Sequence, residues 1–325
     1  MDLSEYIRAH HRRMHPASAG YRAWKAVLDG MEGCGEYLLF RHYPTVDSVR
    51  LHAAQFCKRH LLCPLCAIRR GAKALASYLE RYEVVQAANG ALRPFLVTLT
   101  VKDGPDLVER FQHLRSHFRR LGKRRGHPKY AWSQWHGIAG AVWSYEVKRG
   151  RNSGEWHPHV HAIVLAEQAP DAELLAGEWQ HLTGDSYIVD VRPIDTANPA
   201  GGFAEVFKYA VKFSDMDPAD ALHAFGALRG ARLIASSGCL YDVEIPEDLA
   251  DEPLVGLPYV ELLYRYMRGS GYTWCSDEPQ RPDVPMRPPR PPRAVQWVMR
   301  DGPHGRRRFA RLDANGFDLL HGHVP

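Results

Sequence analysis

The 325-residue chain has no run of about 18 apolar residues, the length a membrane-spanning helix needs, so no transmembrane segment is expected. Its first residues, Met1-Asp2-Leu3-Ser4-Glu5-Tyr6, form no apolar signal core, and a cytoplasmic location is the expectation. No G-x-x-x-x-G-K-[ST] loop is present, so no ATPase module is evident, and no internal repeat is visible. Cysteine is sparse: Cys34, Cys57, Cys63, Cys66, Cys239 and Cys275. Three are bunched and three scattered, which argues against a disulfide framework and for a reducing compartment with a metal site. Charge of neither sign dominates. The net charge of +5 and pI near 8.8 lean mildly toward anionic partners. With 45% hydrophobic residues, the chain can build one large core or two small ones.

What is present in force is histidine in one short stretch, Trp156-His157-Pro158-His159-Val160-His161, followed by the apolar run Ala162-Ile163-Val164-Leu165. A strand sends alternate side chains to one face, so the three imidazoles share a face; a helix would need spacings of three or four. Ile138 to Lys148 reads as a second strand, and Arg149-Gly150-Arg151-Asn152-Ser153-Gly154 between them is turn chemistry. In an antiparallel hairpin centred on Asn152-Ser153, Glu146 lies directly opposite His159, with Cβ atoms roughly 4.5–5.5 Å apart. One carboxylate beside two imidazoles suits Mn²⁺ or Mg²⁺ with positions open to substrate oxygens. A one-residue slip would turn Glu146 to the other face. Glu146, His159 and His161 are therefore the candidate metal ligands, with His157 an additional candidate.

A second ligand set precedes it. Cys63-Pro64-Leu65-Cys66 is a tight knuckle that aims two thiolates at one ion, and Cys57 is a third ligand for structural Zn²⁺; the fourth is His60, His52 or Cys34. A helix follows through about Tyr82, with Arg69, Arg70 and Lys73 as a basic edge.

Pro94 to Val101 is a β-branched, alternating strand broken by Asp103-Gly104-Pro105. Asp106 to Arg125 is an amphipathic helix with Val108, Phe111, Leu114, Phe118 and Leu121 on its apolar side. Its basic end, Arg119, Arg120, Lys123, Arg124 and Arg125, stands beside Lys129, Tyr130, Trp132 and Trp135. Charge for phosphates mixed with rings for base stacking marks a DNA-binding candidate. A helix over Asp171–Leu182, a strand over Ser186–Arg192 and a helix over Phe203–Phe213 complete the order strand, helix, strand, strand, helix, strand, helix. That is the order of a ferredoxin- or RNA-recognition-like α+β sandwich, with an antiparallel sheet and the histidine strand central. On the last helix, Glu205, Tyr209 and Lys212 share a face at i, i+4 and i+7, with Lys208 beside them: a base, a nucleophile and charge stabilisers.

Four features in chain order, Cys57…Cys63-Pro64-Leu65-Cys66, Leu96-Val97-Thr98-Leu99-Thr100, His157-Pro158-His159-Val160-His161 and Glu205…Lys208-Tyr209…Lys212, resemble the rolling-circle replication initiators of small bacterial plasmids. These are single-tyrosine members of the HUH endonuclease superfamily, and the resemblance covers roughly residues 55–215. It implies the HUH nuclease sandwich with a sheet-borne metal, Tyr209 as the nicking tyrosine and Glu205 as the glutamate four residues before it. It also implies a 5′-phosphotyrosine intermediate and a 3′-OH primer. The partners implied are single-stranded or hairpin origin DNA, a host helicase and DNA polymerase, and no membrane. The expected divisions are residues 1–90, a basic region with the zinc knuckle; 91–240, the nuclease domain; 241–275, a helical extension that includes Leu257–Met267; and 276–325, a Pro/Arg-rich disordered tail. Two alternatives stand beside this reading. One is a transposase of the same chemistry, for which paired tyrosines are expected where only Tyr209 has the setting. The other is a non-catalytic zinc-bearing DNA-binding regulator.

Overall fold

The computed structural model describes residues 3–14, 19–209, 216–267, 271–275, 296–302 and 305–311. Two units are distinguished, Met1–Cys275 and Ser276–Pro325. The first begins with α1 (Leu3–Arg12), α2 (Ala19–Met31), β1 (Tyr37–Tyr43), β2 (Ser48–Ala54), α3 (Pro64–Ala88), β3 (Arg93–Thr100) and α4 (Leu107–Gly122). It continues with β4 (Gly140–Arg149), β5 (Trp156–Ala166), α5 (Ala172–Thr183), β6 (Val189–Pro193), α6 (Pro199–Tyr209), α7 (Pro218–Ala227), β7 (Ile234–Gly238), β8 (Val260–Met267) and β9 (Gly271–Cys275). The fold is mixed α+β.

The central sheet has the order β6-β3-β5-β4-β7, and every neighbouring pair is antiparallel. The histidine strand β5 is its middle strand, and side-chain parity divides its environment in two. Val160, Ala162 and Val164 of β5, Val97 and Leu99 of β3 and Tyr145 of β4 face a core completed by α4, α5 and α7. Val142, Ile163 and Leu165 face the other way, where α3 supplies Ala74, Tyr78 and Tyr82 and α6 supplies Phe203, Val206 and Phe207. Burial on both faces explains why β5 loses its polar alternation after His161. On α6, the three buried side chains each contribute on the order of 1.5–3 kcal/mol, and Phe207 stacks on Tyr78 with ring centroids 5.2 Å apart.

The helices that cover the first face start and stop on local signals. Asp106 caps α4 by accepting from the Val108 and Glu109 N–H groups, and Asp171 caps α5 by accepting from Glu173 and Leu174. Gly184 ends α5 at φ 80°, the left-handed conformation that glycine adopts without a Cβ penalty. Val108, expected on the apolar side of α4, is 41% exposed, and Leu107 is buried in its place.

A second, four-stranded sheet of order β2-β1-β8-β9 was not expected. Leu257–Met267, read as helix, is mostly β8: Leu38 pairs with Tyr264 and Phe40 with Leu262. The run Val260-Glu261-Leu262-Leu263-Tyr264-Arg265-Tyr266-Met267 satisfies helical and strand periods alike. What decides is the open edge of β1, more than two hundred residues earlier in the chain. In the second unit, residues 276–295 and 312–325 of the expected disordered tail lie outside the described residues. Gln296–Gly302 (β10) and Gly305–Arg311 (β11) pair as an antiparallel hairpin, which corrects that expectation for them.

Candidate functional site

The turn between β4 and β5 closes through Gly150 N–H to Glu155 O at 2.8 Å and Gly154 N–H to Gly150 O at 2.9 Å. This turn sets the register Glu146↔His159, Ser144↔His161 and Lys148↔His157. Glu146, His159 and His161 offer ligand atoms that all lie within 4.8 Å of one another. His159 Nε2 is 2.9 Å and His161 Nε2 3.2 Å from the same oxygen, Glu146 Oε2. The other ring nitrogens face outward. His161 Nδ1 lies 2.9 Å from Thr98 Oγ1 on β3, and His159 Nδ1 lies 3.4 Å from the His157 carbonyl. In the hydrogen-bonded form both Nε2–H groups donate to the carboxylate; with the protons moved to Nδ1, the same two atoms would turn lone pairs to a cation bound there. Burial would raise the Glu146 carboxyl, but hydrogen bonds from His159 and His161 outweigh it and hold the group well below the usual carboxylate range. Burial, only partly opposed by Glu146, lowers His159 and favours its neutral form. An ionised carboxylate and neutral imidazoles are the states that bind a divalent cation.

His157 stands apart. Its Nδ1 meets Asp103 Oδ1 at 2.5 Å, and the Ser153 hydroxyl donates to the other oxygen of Asp103. Gly150 leaves room here for the Asp103 carboxylate and the Ser153 hydroxyl, which a Cβ at that position would displace. His157 is thus a partner of Asp103 through Nδ1 and lies outside the three-ligand group. In the sequence Asp103 signals only the end of a strand. Burial pushes its carboxyl up, and the hydrogen bonds from Ser153 and His157 more than reverse this.

Helix α6 packs on the same sheet face that carries Glu146, His159 and His161, since these residues share the parity of Val142 and Ile163. Glu205 is half-buried on α6. Lys208 and Tyr209 belong to its last turn, with side chains outside the described residues, and Lys212 lies outside them altogether.

Four cysteines, Cys34, Cys57, Cys63 and Cys66, form the other ligand group. Sγ separations are 3.5 Å for Cys34–Cys63 and Cys34–Cys66 and 3.6 Å for Cys57–Cys66. A tetrahedron with metal–sulfur bonds of about 2.3 Å has edges of about 3.8 Å, so the set fits. Cys34 takes the fourth position in place of His60 or His52; it follows α2, and its thiol also accepts the Cys57 N–H at 3.3 Å. His60 is outside the group, with its pKa lowered by burial and by Arg70. Cys63 occupies the N-cap position of α3 without a side-chain capping bond, and contacts from Cys34, Cys57 and Cys66 hold its thiol strongly down.

The basic cluster divides by burial. Arg119, Arg120 and Lys123 are exposed, and Trp132 is 61% exposed. Arg124 is buried in an ion pair with Glu178 at 2.6 Å, and Arg125 donates to the Ala139 carbonyl at 3.3 Å. Arg124 is thus committed inside the fold, whereas Arg125 is half-buried. Trp135 is a core residue at 2% exposure, and Arg69 is bound to Asp251.

The fold and its ligand groups define a mixed α+β protein with two candidate metal centres, one on the sheet and one of cysteine. The family model described as replication protein matches residues 48–256, and the chain belongs to this family of plasmid replication initiators. A curated Protein rep from a Bacillus species is 27% identical over 271 residues, 72% of this chain and 84% of the relative. Another, from Bacillus amyloliquefaciens, is 27% identical over 199 residues, 59% of this chain and 54% of that protein, so this chain spans about half its length. No solved structure matches. Among the described residues, no helix is long and apolar enough to cross a membrane.

Proposed function

We propose that the chain starts rolling-circle replication as a cytoplasmic, metal-dependent nuclease that nicks one strand of single-stranded or hairpin origin DNA. The Tyr209 phenol oxygen attacks the scissile phosphorus. The P–O3′ bond breaks, the 3′ oxygen takes a proton, and the 5′ phosphate stays on Tyr209. The 3′-OH then primes host DNA polymerase, with a host helicase opening the duplex. Mn²⁺ or Mg²⁺ held by Glu146, His159 and His161 would polarise the phosphate and stabilise the charge added in attack. A phenol titrates near 10 and is weak at neutral pH, so Lys208 or Lys212 favours the phenolate or the phosphotyrosine. Glu205 takes a proton from water to hydrolyse the phosphotyrosine and end the cycle. Zn²⁺ on Cys34, Cys57, Cys63 and Cys66 serves structure.

The observation that carries this reading is the convergence of one carboxylate and two imidazole Nε2 atoms on the face covered by the helix of Glu205 and Tyr209. The test is nicking of supercoiled and single-stranded origin DNA with Mn²⁺. Wild type should leave a 5′-phosphotyrosine adduct. Tyr209→Phe should lose it while still binding DNA. An adduct mapped by mass spectrometry to another tyrosine, such as Tyr187 or Tyr241, would overturn the assignment.

A further inference from the structure

We infer that the loop between α4 and β4 carries a stacking platform for unpaired DNA bases, on the side of the sheet opposite the Glu146–His159–His161 group. The core on that side includes Trp135 of this loop, packed edge-to-face on Phe118 with centroids 5.6 Å apart. Three residues before it, Trp132 is 61% exposed. Exposure alone says little, but this ring is fixed from beneath. The Arg124 guanidinium lies 5.0 Å from the centre of a Trp132 ring and 5.2 Å from that of Tyr130.

Arg124 is itself held. Its Nη1 is 2.6 Å from Glu178 Oε1 on α5. The same carboxylate accepts the Ser133 hydroxyl and, at 3.0 Å, the Gln134 backbone N–H. One buried carboxylate therefore ties the end of α4 and the middle of the loop to α5. Buried ion pairs are weak sources of stability, because the desolvation of both charges offsets their attraction. This one has a positional consequence: it sets two surface aromatic rings in one pose before any partner arrives. The guanidinium occupies one side of the Trp132 ring system, and the exposed side remains available.

Lys129 is exposed, with its ammonium 5.7 Å from the Tyr130 ring centre, and the exposed cations Arg119, Arg120 and Lys123 immediately precede Arg124 in the chain. A flat aromatic face next to exposed cations matches a polyanion that offers π faces, which describes an unpaired strand. Duplex DNA hides its base faces in the stack and presents phosphates and groove edges. Membership of a plasmid replication initiator family selects DNA as the occupant. Arg124 acts here as a positioning residue, since its charge is already met by Glu178.

The test uses the full chain carrying Tyr209→Phe, so that affinity is read without adduct formation. Fluorescence anisotropy would give Kd for a labelled oligo-dT and for a blunt duplex of equal length at fixed salt. Trp132→Ala should weaken oligo-dT binding about 10- to 100-fold and leave duplex binding and the salt slope unchanged. Trp132→Phe should retain most of the affinity. Lys129→Ala should instead reduce the single-strand salt slope by about 0.7. Unchanged oligo-dT affinity in Trp132→Ala, or an equal loss on duplex, would overturn the platform. A wild-type chain that fails to nick would sink the nuclease reading and leave this binding result standing. Trp132→Ala binding like its parent while wild type nicks normally would sink the platform alone.

Discussion

Glu146 is 5% exposed and still ionised, a state that a dry interior normally rejects. Two imidazoles on the next strand make it tolerable, and that pairing sets how each residue of the group should respond to substitution. His159→Ala or His161→Ala should abolish Mn²⁺-dependent nicking with the fold intact by circular dichroism; full activity in either would refute the ligand assignment. Thr98 touches no ligand electron pair on the metal side, yet its hydroxyl orients the His161 ring from behind. Thr98→Val should therefore cost about 10- to 100-fold in Mn²⁺ affinity, measured by isothermal titration calorimetry. His157→Ala should leave that affinity unchanged, because the ring lies outside the three-ligand group. A His157→Ala chain that lost Mn²⁺ binding would restore histidine 157 to the ligand set.

At the scale of elements, the hairpin β4–β5 was legible because its information is local. The period of two, the turn residues and the parity argument all lie within about twenty-five positions, and they fix Glu146 opposite His159. Helix α6 was legible in type but not in bounds: expected over Phe203–Phe213, it begins at Pro199, and residues 210–215 lie outside those described. The second sheet was not, because β8 becomes a strand only beside β1. Nor was the burial of Arg124, whose charge is met by Glu178, 54 residues later. Cys34 was only one of three choices for the fourth ligand, beside His60 and His52, since folding alone brings it to the knuckle. The proposed mechanism divides its labour along α6. Glu205 lies one turn before Tyr209, so Glu205→Ala should still nick and form the adduct but release it slowly by hydrolysis. Release at the wild-type rate, followed by gel shift of labelled adduct, would remove Glu205 from the hydrolytic step.

At the scale of the molecule, α3 joins the two ligand groups. Its 25 residues span about 37 Å. Cys63 and Cys66 stand at its start, while Ala74, Tyr78 and Tyr82 reach the face of the central sheet that α6 also covers. Asp251 adds a second tie, accepting Arg69 of α3 at 2.5 Å and the Leu51 N–H of β2 at 2.8 Å. Burial would raise its carboxyl, but Arg69 and the Leu51 N–H more than offset that and lower it. A lowered folded-state value means that this stabilisation is present above the unfolded value of about 3.9 and is lost as pH falls through the folded one. Asp251→Asn should thus lower Tm near neutrality, and the difference from wild type should shrink below about pH 4. The cysteine group should have a larger and regional effect. Apart from the thiols, little apolar mass is buried there: Leu249 joins Cys63 and Cys66, with Met31, Phe56 and Leu65 partly buried around them. The small sheet leans on the same loop, since the Tyr272 hydroxyl of β9 donates to the Gly35 carbonyl at 2.6 Å, one residue after Cys34. Protein purified without chelator should contain about one zinc per chain. Stripping it, or making Cys63→Ser, should speed hydrogen exchange in residues 37–54 and 260–275. Exchange in 93–100 and 140–166 should change far less, because the core of the central sheet contains none of the four thiols. Zinc-free protein with undiminished stability would remove the structural role of these cysteines, and loss of protection spread evenly over both sheets would show that the small sheet has no separate dependence on them.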